Sequence, residues 1–475
     1  YSLEKITVTA TKRALGVQDV PVSITAITAD DMKASNANTN YNKQKSYSEN
    51  FLPDLNYITN SNSSSFNDSD RHNAGSDLRF IIKPKNKKSK NNVQISNKTN
   101  FNSSNNDSFS TVDRISEYTN GDLVSKYFST NTSSSTNNEI DNDFNVTSRI
   151  GKKRDYFNIG FSTVFDKQDS EGSSYSKNEL ESSSTDVVQD QNSTTNNSGS
   201  VINFNARLVK EVLNNFKIIP SYRAIVNTQK DEKLIYDYNE NTGSYDDFND
   251  QISVDSRYVA TTVKPSLRLR YEFKEFRFEL EGSYTNTFRK YTDNIIEERN
   301  FKNDFEYLTY SGRIRYRDKN GYKNVDLRYN QNVNLPSISQ LQPVANVSNI
   351  TNIRTGNPLL EPAISHNLNL RYQNNIAFNN INISARVRAQ FVQDKIINST
   401  ITDSDLIKYT TYENINGDYN VSGNTAVSKS YFSKKTNINI NLRLNGEYKN
   451  IKSIQNTVKF TTKTSTLRPS LSFSY

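Results

Sequence analysis

The sequence predicts an all-β protein, a transmembrane antiparallel β-barrel, and three observations carry that expectation. Only 33% of the 475 residues are hydrophobic, whereas a soluble domain of this length carries apolar residues near half its composition. A single packed core is therefore not available. The 28 Tyr and 24 Phe argue equally against a disordered chain, which is poor in aromatic residues. Finally, the apolar residues fall into short segments of strict two-residue alternation, the period of a strand. No run approaches the roughly 18 consecutive apolar residues of a spanning helix, so a crossing must be made by strands.

Taken in chain order, residues 1 to about 40 have a texture of their own, rich in Ala, Val and Ile. Glu4–Lys12 is β-prone, and Val20–Lys33 runs from a strand into a helix start, where Thr28 and Asp31 have the capping-box spacing. Lys83–Lys90 reads as a charged turn between Leu78–Ile82 and Val93–Ile95. Asn102–Asn106 and Ser129–Asn138 would pass for disordered tracts if met alone. Alternation then becomes regular. Phe157, Ile159, Phe161 and Phe165 share one face, and Ile202, Phe204, Ala206 and Leu208 another. Val263, Pro265, Leu267, Leu269, Tyr271 and Phe273 oppose Lys264, Ser266, Arg268 and Arg270. Phe276, Phe278, Leu280 and Tyr284 oppose Arg277, Glu279 and Glu281. The pattern returns around Leu308–Tyr316, Val325–Tyr329, Leu368–Tyr372, Ile381–Phe391, Ile438–Tyr448 and Leu467–Tyr475.

One face of these segments is apolar over about ten residues, the length a membrane-crossing strand needs, while the other repeatedly holds Arg, Glu, Lys and Asn. Charge on a lipid-facing position costs about 2–4 kcal/mol at the midplane. Arg268, Arg270, Arg277, Glu279, Glu281, Arg313, Arg315, Arg317, Arg386 and Arg388 are accordingly expected to face a lumen. Short connections (Glu211–Asn215, Glu272–Glu275, Asp318–Gly321, Ser433–Lys435) alternate with long polar ones, read as loops over Lys167–Ser200, Thr228–Asp255, Thr285–Asn303 and Asn334–Glu361. That asymmetry is the one between periplasmic turns and extracellular loops. About 14 to 18 strands are detectable at the usual strand length. A soluble β-solenoid or sandwich is the competing reading, and it does not explain the two loop lengths.

Little in the sequence points to catalysis, and an enzyme is not expected. With no Cys and 2 His, thiol chemistry, iron–sulfur clusters and Cys-based zinc sites are excluded, so no metal or cofactor is expected. No nucleophile elbow, zinc-protease helix, P-loop or dinucleotide fingerprint is present. Asp246-Asp247 and Glu297-Glu298 read as solvated turns, Asp237–Gly243 as a hairpin tip rather than a calcium loop, and His72 and His366 as exposed polar residues. The net charge of +8 is spread along the chain and calls for no nucleic-acid partner.

Two stretches carry a family resemblance. Ile6-Thr7-Val8-Thr9-Ala10 resembles the TonB box of TonB-dependent outer-membrane transporters, and the continuation through Val20, Pro21, Val22 and Ile24 to Lys33 resembles the start of their plug domain. An exposed β-prone peptide suits that role, because it can add a strand to a partner's sheet. Downstream, Asn334–Val344 with Pro336, and then Gly356-Asn357-Pro358 leading to Pro362, are similar to a proline-rich element of Bacteroidetes-type members of these barrels. The prolines stiffen a long loop, and Gly356 is expected to adopt a backbone angle that other residues resist, so this element reads as structural first.

The resemblance implies a TonB-type energy-coupling partner, an outer-membrane location in a Gram-negative bacterium, a nutrient ligand that the sequence does not name, and a surface lipoprotein as a further partner. It divides the chain into a TonB-box and partial plug-like segment, 1–45, and a barrel, 46–475. The family barrel has 22 strands and a full plug, more than is found here, which points to a composite or trimmed chain. Tyr475, a terminal aromatic on an alternating strand, reads alternatively as a true end. A passive porin or a non-transporting barrel of an envelope assembly remains the other reading.

Overall fold

The computed structural model describes residues 7–8, 15–16, 23–25, 34–52, 55–82, 92–150, 155–181, 186–346, 349, 351–403 and 407–475. Sixteen long strands among them form one antiparallel meander: Ala34–Leu52, Leu55–Ile82, Val93–Tyr118, Leu123–Ile150, Asp155–Leu180, Val187–Leu213, Phe216–Asn239, Val254–Phe273, Phe276–Asp293, Phe301–Arg317, Lys323–Asn334, Ala363–Ile376, Ile381–Gln393, Asp418–Ser433, Thr436–Gln455 and Val458–Ser474. Each pairs with its sequence neighbours in the hairpin registers expected of a barrel wall. The short strand Ser23–Thr25 continues the first edge by pairing Ile24 with Phe80. Among the described residues, no register joins Val458–Ser474 to Ala34–Leu52, so the sheet is not closed. Leu467, Leu471 and Phe473 on that last strand are exposed.

Burial runs opposite to that of a soluble protein. On Phe276–Asp293 the apolar parity stays outside, with Leu280 60% exposed, while Thr285 at 2% and Arg289 at 4% on the polar parity are buried. The next strand repeats this, with Leu308 68% exposed beside a buried Thr309. An apolar exterior against a polar interior is stable where the exterior solvent is hydrocarbon. At the short-turn end, Tyr271 stacks near Phe273, Phe276 near Phe278, and Phe276 lies 5.0 Å from Tyr316, all turned outward as an aromatic belt.

Among the described residues the longest connections, 335–362 and 394–417, lie at one end and most tight turns at the other, with turns such as Asn456-Thr457 the exceptions at the long-connection end. The tight turns use left-handed residues, Asn215, Lys274, Gly321 and Asn380 among them. By the asymmetry of outer-membrane barrels, the tight-turn end is periplasmic.

Three of the expected long loops prove to be mostly strand. The span from Lys167 to Ser200 lies almost wholly in Asp155–Leu180 and Val187–Leu213. Thr228–Asp255 is taken up by Phe216–Asn239, Ser244–Phe248 and the start of Val254–Phe273, and Thr285–Asn303 by Phe276–Asp293 and Phe301–Arg317. Likewise Asn102–Asn106 and Ser129–Asn138 lie inside Val93–Tyr118 and Leu123–Ile150. Apolar alternation stops where the membrane ends, but the ladder does not need it. Cross-strand side chains carry the extension: Ser64 with Thr111, Ser103 with Asn138, Asn142 with Thr99 and Thr132 with Ser173. From Asp166 to Leu180, fifteen residues run about 50 Å along the strand beyond the apolar segment Phe157–Phe165.

Candidate functional site: the lumen wall and its mouth

Strand parity places the expected charges on one face, and register decides how they pair. Opposing residues on neighbouring strands stand about 4.5–5.5 Å apart, close enough for side chains to meet. Glu272 faces Arg277, Arg270 faces Glu279 and Arg268 faces Glu281 across one hairpin. All three pairs close as ion pairs, with Arg277 2.8 Å from Glu272, Arg270 2.8 Å from Glu279, and Arg268 Nε donating to Glu281 at 2.9 Å. Arg313 and Arg315, one strand on, both turn to Asp326 at 3.0 and 2.9 Å through Nε, and Arg328 reaches its other oxygen at 2.6 Å. Asp326 is 4% exposed, so this hub sits against the wall rather than in open water. Arg386 and Arg388 share the same face two strands further along, and Arg317 lies at its periplasmic margin. A cavity of about 340 Å³ opens above these groups, lined by Arg268, Glu281, Ser311, Arg313, Arg328 and Asn330.

The sequence reading missed Glu272, Asp326, Arg328 and Arg371 as members of this wall. The signal was there. Asp326 and Arg328 alternate with Val325, Leu327 and Tyr329, as Arg371 does with Leu370 and Tyr372.

The mouth is built by the connection after Asn334, which folds inward. Its helix Ile338–Leu341 begins with a capping box in which the Ser337 hydroxyl accepts from the Gln340 amide while Gln340 Oε1 accepts from the Ser337 amide. Pro336 is fully buried, and its carbonyl accepts from Arg289 Nη1 at 2.6 Å. The Arg289 guanidinium also lies 4.6 Å from the centre of the Phe305 ring. Gly356 and Asn357 donate from their amides to the carbonyls of Gln342 and Gln340 at 2.7 and 2.6 Å. Pro358 then opens the turn to the buried Leu360, and Pro362 precedes the strand Ala363–Ile376.

The glycine requirement at 356 differs from the expected one. Gly356 does not have a left-handed backbone; a Cβ there would collide with Gln342 O and lie 2.6 Å from Gln342 N. Close approach of two chain segments demands the glycine.

The same element is tied to the next extracellular connection. Asn357 Nδ2 donates to Tyr412 O at 2.9 Å, Glu361 N to Asn414 Oδ1 at 2.9 Å, and Asn352–Thr355 pairs in parallel with Lys408–Ile415. A second latch holds the neighbouring loop, where Arg299 donates to Ser253 O at 2.7 Å and to Gln251 O. Together these contacts make a braced cap at the long-connection end. Of the carboxylates expected in turns, Glu297 and Glu298 lie in a short 3-10 turn, whereas Asp246 and Asp247 lie in the hairpin strand Ser244–Phe248; Asp237, at the end of the strand before that hairpin's tip, accepts from Gln191 and Asn249. His72 lies 3.1 Å from Asp70 on the surface, and His366 bonds Tyr329 and Gln393.

Of the amino-terminal segment, Thr7–Val8 pairs with Leu15–Gly16, and Ile24 joins the wall opposite Phe80. Ile6, Thr9, Ala10, Val20, Pro21, Val22 and the expected helix start before Lys33 lie outside the described residues, as does the Lys83–Lys90 turn.

No curated protein matches the chain. Among solved structures, the alcaligin outer-membrane receptor FauA from Bordetella pertussis is 10% identical, with 90% of this chain aligned to 69% of that one at a TM-score of 0.37. For the copper transporter OprC the figures are 10% identity, 88% and 62% coverage and a TM-score of 0.46. For the RagAB peptide transporter they are 12%, 86%, 51% and 0.44. The chain thus spans 51–69% of the length of these three proteins. A family model for the outer membrane protein beta-barrel family matches residues 148–475, the stretch that holds the charged wall, the braced cap and the terminal strands, and the chain belongs to that family.

Proposed function

We propose that this outer-membrane barrel imports a scarce nutrient and is energised through its amino-terminal segment by a TonB-type coupling protein. The observation that carries the reading is the sequence of Ile6–Ala10 followed by the plug-like run to Lys33, of which Ser23–Thr25 pairs with Arg79–Ile81 of the wall. A β-prone strand with an open edge offers its main chain to a partner sheet, so recognition survives side-chain changes and fails when an amide is removed. Residues 1–45 then supply the coupling peptide and its continuation into the wall, and 46–475 the barrel. The braced cap captures the ligand, a siderophore, vitamin, glycan or peptide, and the charged wall lines its path or holds the plug. A surface lipoprotein over the mouth is the further partner this arrangement accommodates.

Capture of the full chain by the periplasmic domain of the coupling protein tests this. Unmodified chain should bind and Ile6→Pro should not; absence of binding by the unmodified chain removes energised import. A large, steady open current in a planar bilayer would then favour a passive pore.

A further inference from the structure

Register aligns the lumen-facing residues of four consecutive strands into two adjacent rows. One row reads Arg313, Arg328, Asn369, Arg388, and the next, one pleat nearer the periplasmic turns, reads Arg315, Asp326, Arg371, Arg386. These eight positions hold six arginines and one carboxylate. Arg313 stands directly opposite Arg328 and Arg371 directly opposite Arg386, and like charges in directly opposed positions destabilise a sheet. The preceding hairpin, by contrast, neutralises itself pair by pair.

Every carboxylate near the rows is already engaged. Asp326 accepts from Arg313, Arg315 and Arg328. Glu279, opposite Arg313, belongs to Arg270, and Glu447, two strands beyond Arg388, lies 2.9 Å from Lys449. The flanking rows are neutral across the same strands apart from Arg317: Ser311, Asn330, Asn367 and Gln390 above, Asn324, Gln373 and Ser384 below. Among the described residues, Arg371, Arg386 and Arg388 therefore have no carboxylate in ion-pair contact.

Three guanidiniums on adjacent strands, grouped around Asn369 and with Arg328 on its far side, form a fork-bearing surface for the oxygens of carboxylates or phosphates. Lined by low-dielectric wall, such a surface concentrates a multivalent anion more than a monovalent one. We propose that this patch is a binding site for a small multivalent anion bearing carboxylate or phosphate groups. Calling that anion the cargo rests on the import reading above; the site itself does not.

Isothermal titration of the detergent-purified full chain at low ionic strength tests it, with citrate, inorganic phosphate and acetate as separate probes. One of the two multivalent anions should give saturable binding, and which of them binds distinguishes a carboxylate from a phosphate ligand. Acetate should bind at least about tenfold more weakly, and the variant carrying Arg371→Gln, Arg386→Gln and Arg388→Gln should lose at least about tenfold in affinity. Asp326→Asn, which frees three guanidiniums and leaves the patch intact, should tighten binding and serves if the triple variant fails to fold. No saturable binding by either multivalent anion, or equal affinity in the variants and the unmodified chain, overturns the proposal. The titration contains no coupling protein, so an intact anion site with no Ile6-dependent capture would remove energised import alone.

Discussion

Replacing Gly356 by Ala should open the mouth without unfolding the wall. The new Cβ meets backbone, not a flexible side chain, at Gln342 O, at Gln342 N 2.6 Å away and at Gln340 O 2.9 Å away. The chain must separate there, and separation removes the hydrogen bonds from Gly356 to Gln342 and from Asn357 to Gln340. Two backbone bonds at about 0.5–1 kcal/mol each, with about 1–2 kcal/mol of overpacking strain, give a local loss of about 2–4 kcal/mol. That raises the open population of the loop roughly 30- to 900-fold. Hydrogen–deuterium exchange of peptides covering 336–342 and 352–362 reads this directly, while peptides from Phe276–Asp293 report on the wall. Faster exchange confined to the loop is expected. Unchanged protection of both loop peptides would refute the claim that close approach, and not backbone angle, demands this glycine.

Leu280→Arg, on the outer face, should cost about 2–4 kcal/mol in denaturant unfolding of the lipid-reconstituted chain, whereas Ser311→Lys, facing Glu281 in the lumen, should cost less than about 1 kcal/mol. Arg289→Ala should loosen the inward loop by about 2–4 kcal/mol, seen as faster exchange around Pro336, because it removes a charge-assisted bond and a ring contact together. In the extracellular hairpin, the hydrogen bond from Tyr245 to Asp190 raises the phenol above its ordinary range, with burial adding to it. A raised folded value means that the stabilisation is complete below the unfolded phenol range near pH 10 and is lost as pH rises through the folded value. An ultraviolet titration should place Tyr245 later than in the Asp190→Asn variant; equal midpoints would contradict the contact.

Much of the wall was legible because its two solvents write a period into the chain. Phe276, Phe278 and Leu280 against Arg277, Glu279 and Glu281 needs only parity to be assigned to lipid and lumen, and the structure keeps that assignment. The extracellular strand extensions were not legible, since with water on both faces Ser, Thr and Asn alternate with one another and leave no hydropathic period. Ser133 and Ser173 give no hint that they lie in long strands until the neighbouring strand is present to pair with them. Nor could charge pairing be read from one strand at a time: Asp326 looks like any polar residue until register puts Arg313 and Arg315 beside it. The Arg289 latch was missed for a third reason. Its partner is the carbonyl of Pro336, 47 residues away, and no local pattern joins the two.

Every functional step depends on the charged parity enclosing water while the apolar parity meets lipid. The chain contains no Cys, so single cysteines at 278, 279, 280 and 281 can each carry one polarity-sensitive probe in the reconstituted protein. Probes at 278 and 280 should be quenched by a bilayer-confined quencher, and those at 279 and 281 by an aqueous one. Aqueous quenching at all four positions, or the reverse parity, would contradict the account of this chain as a membrane-spanning barrel with a charged lumen.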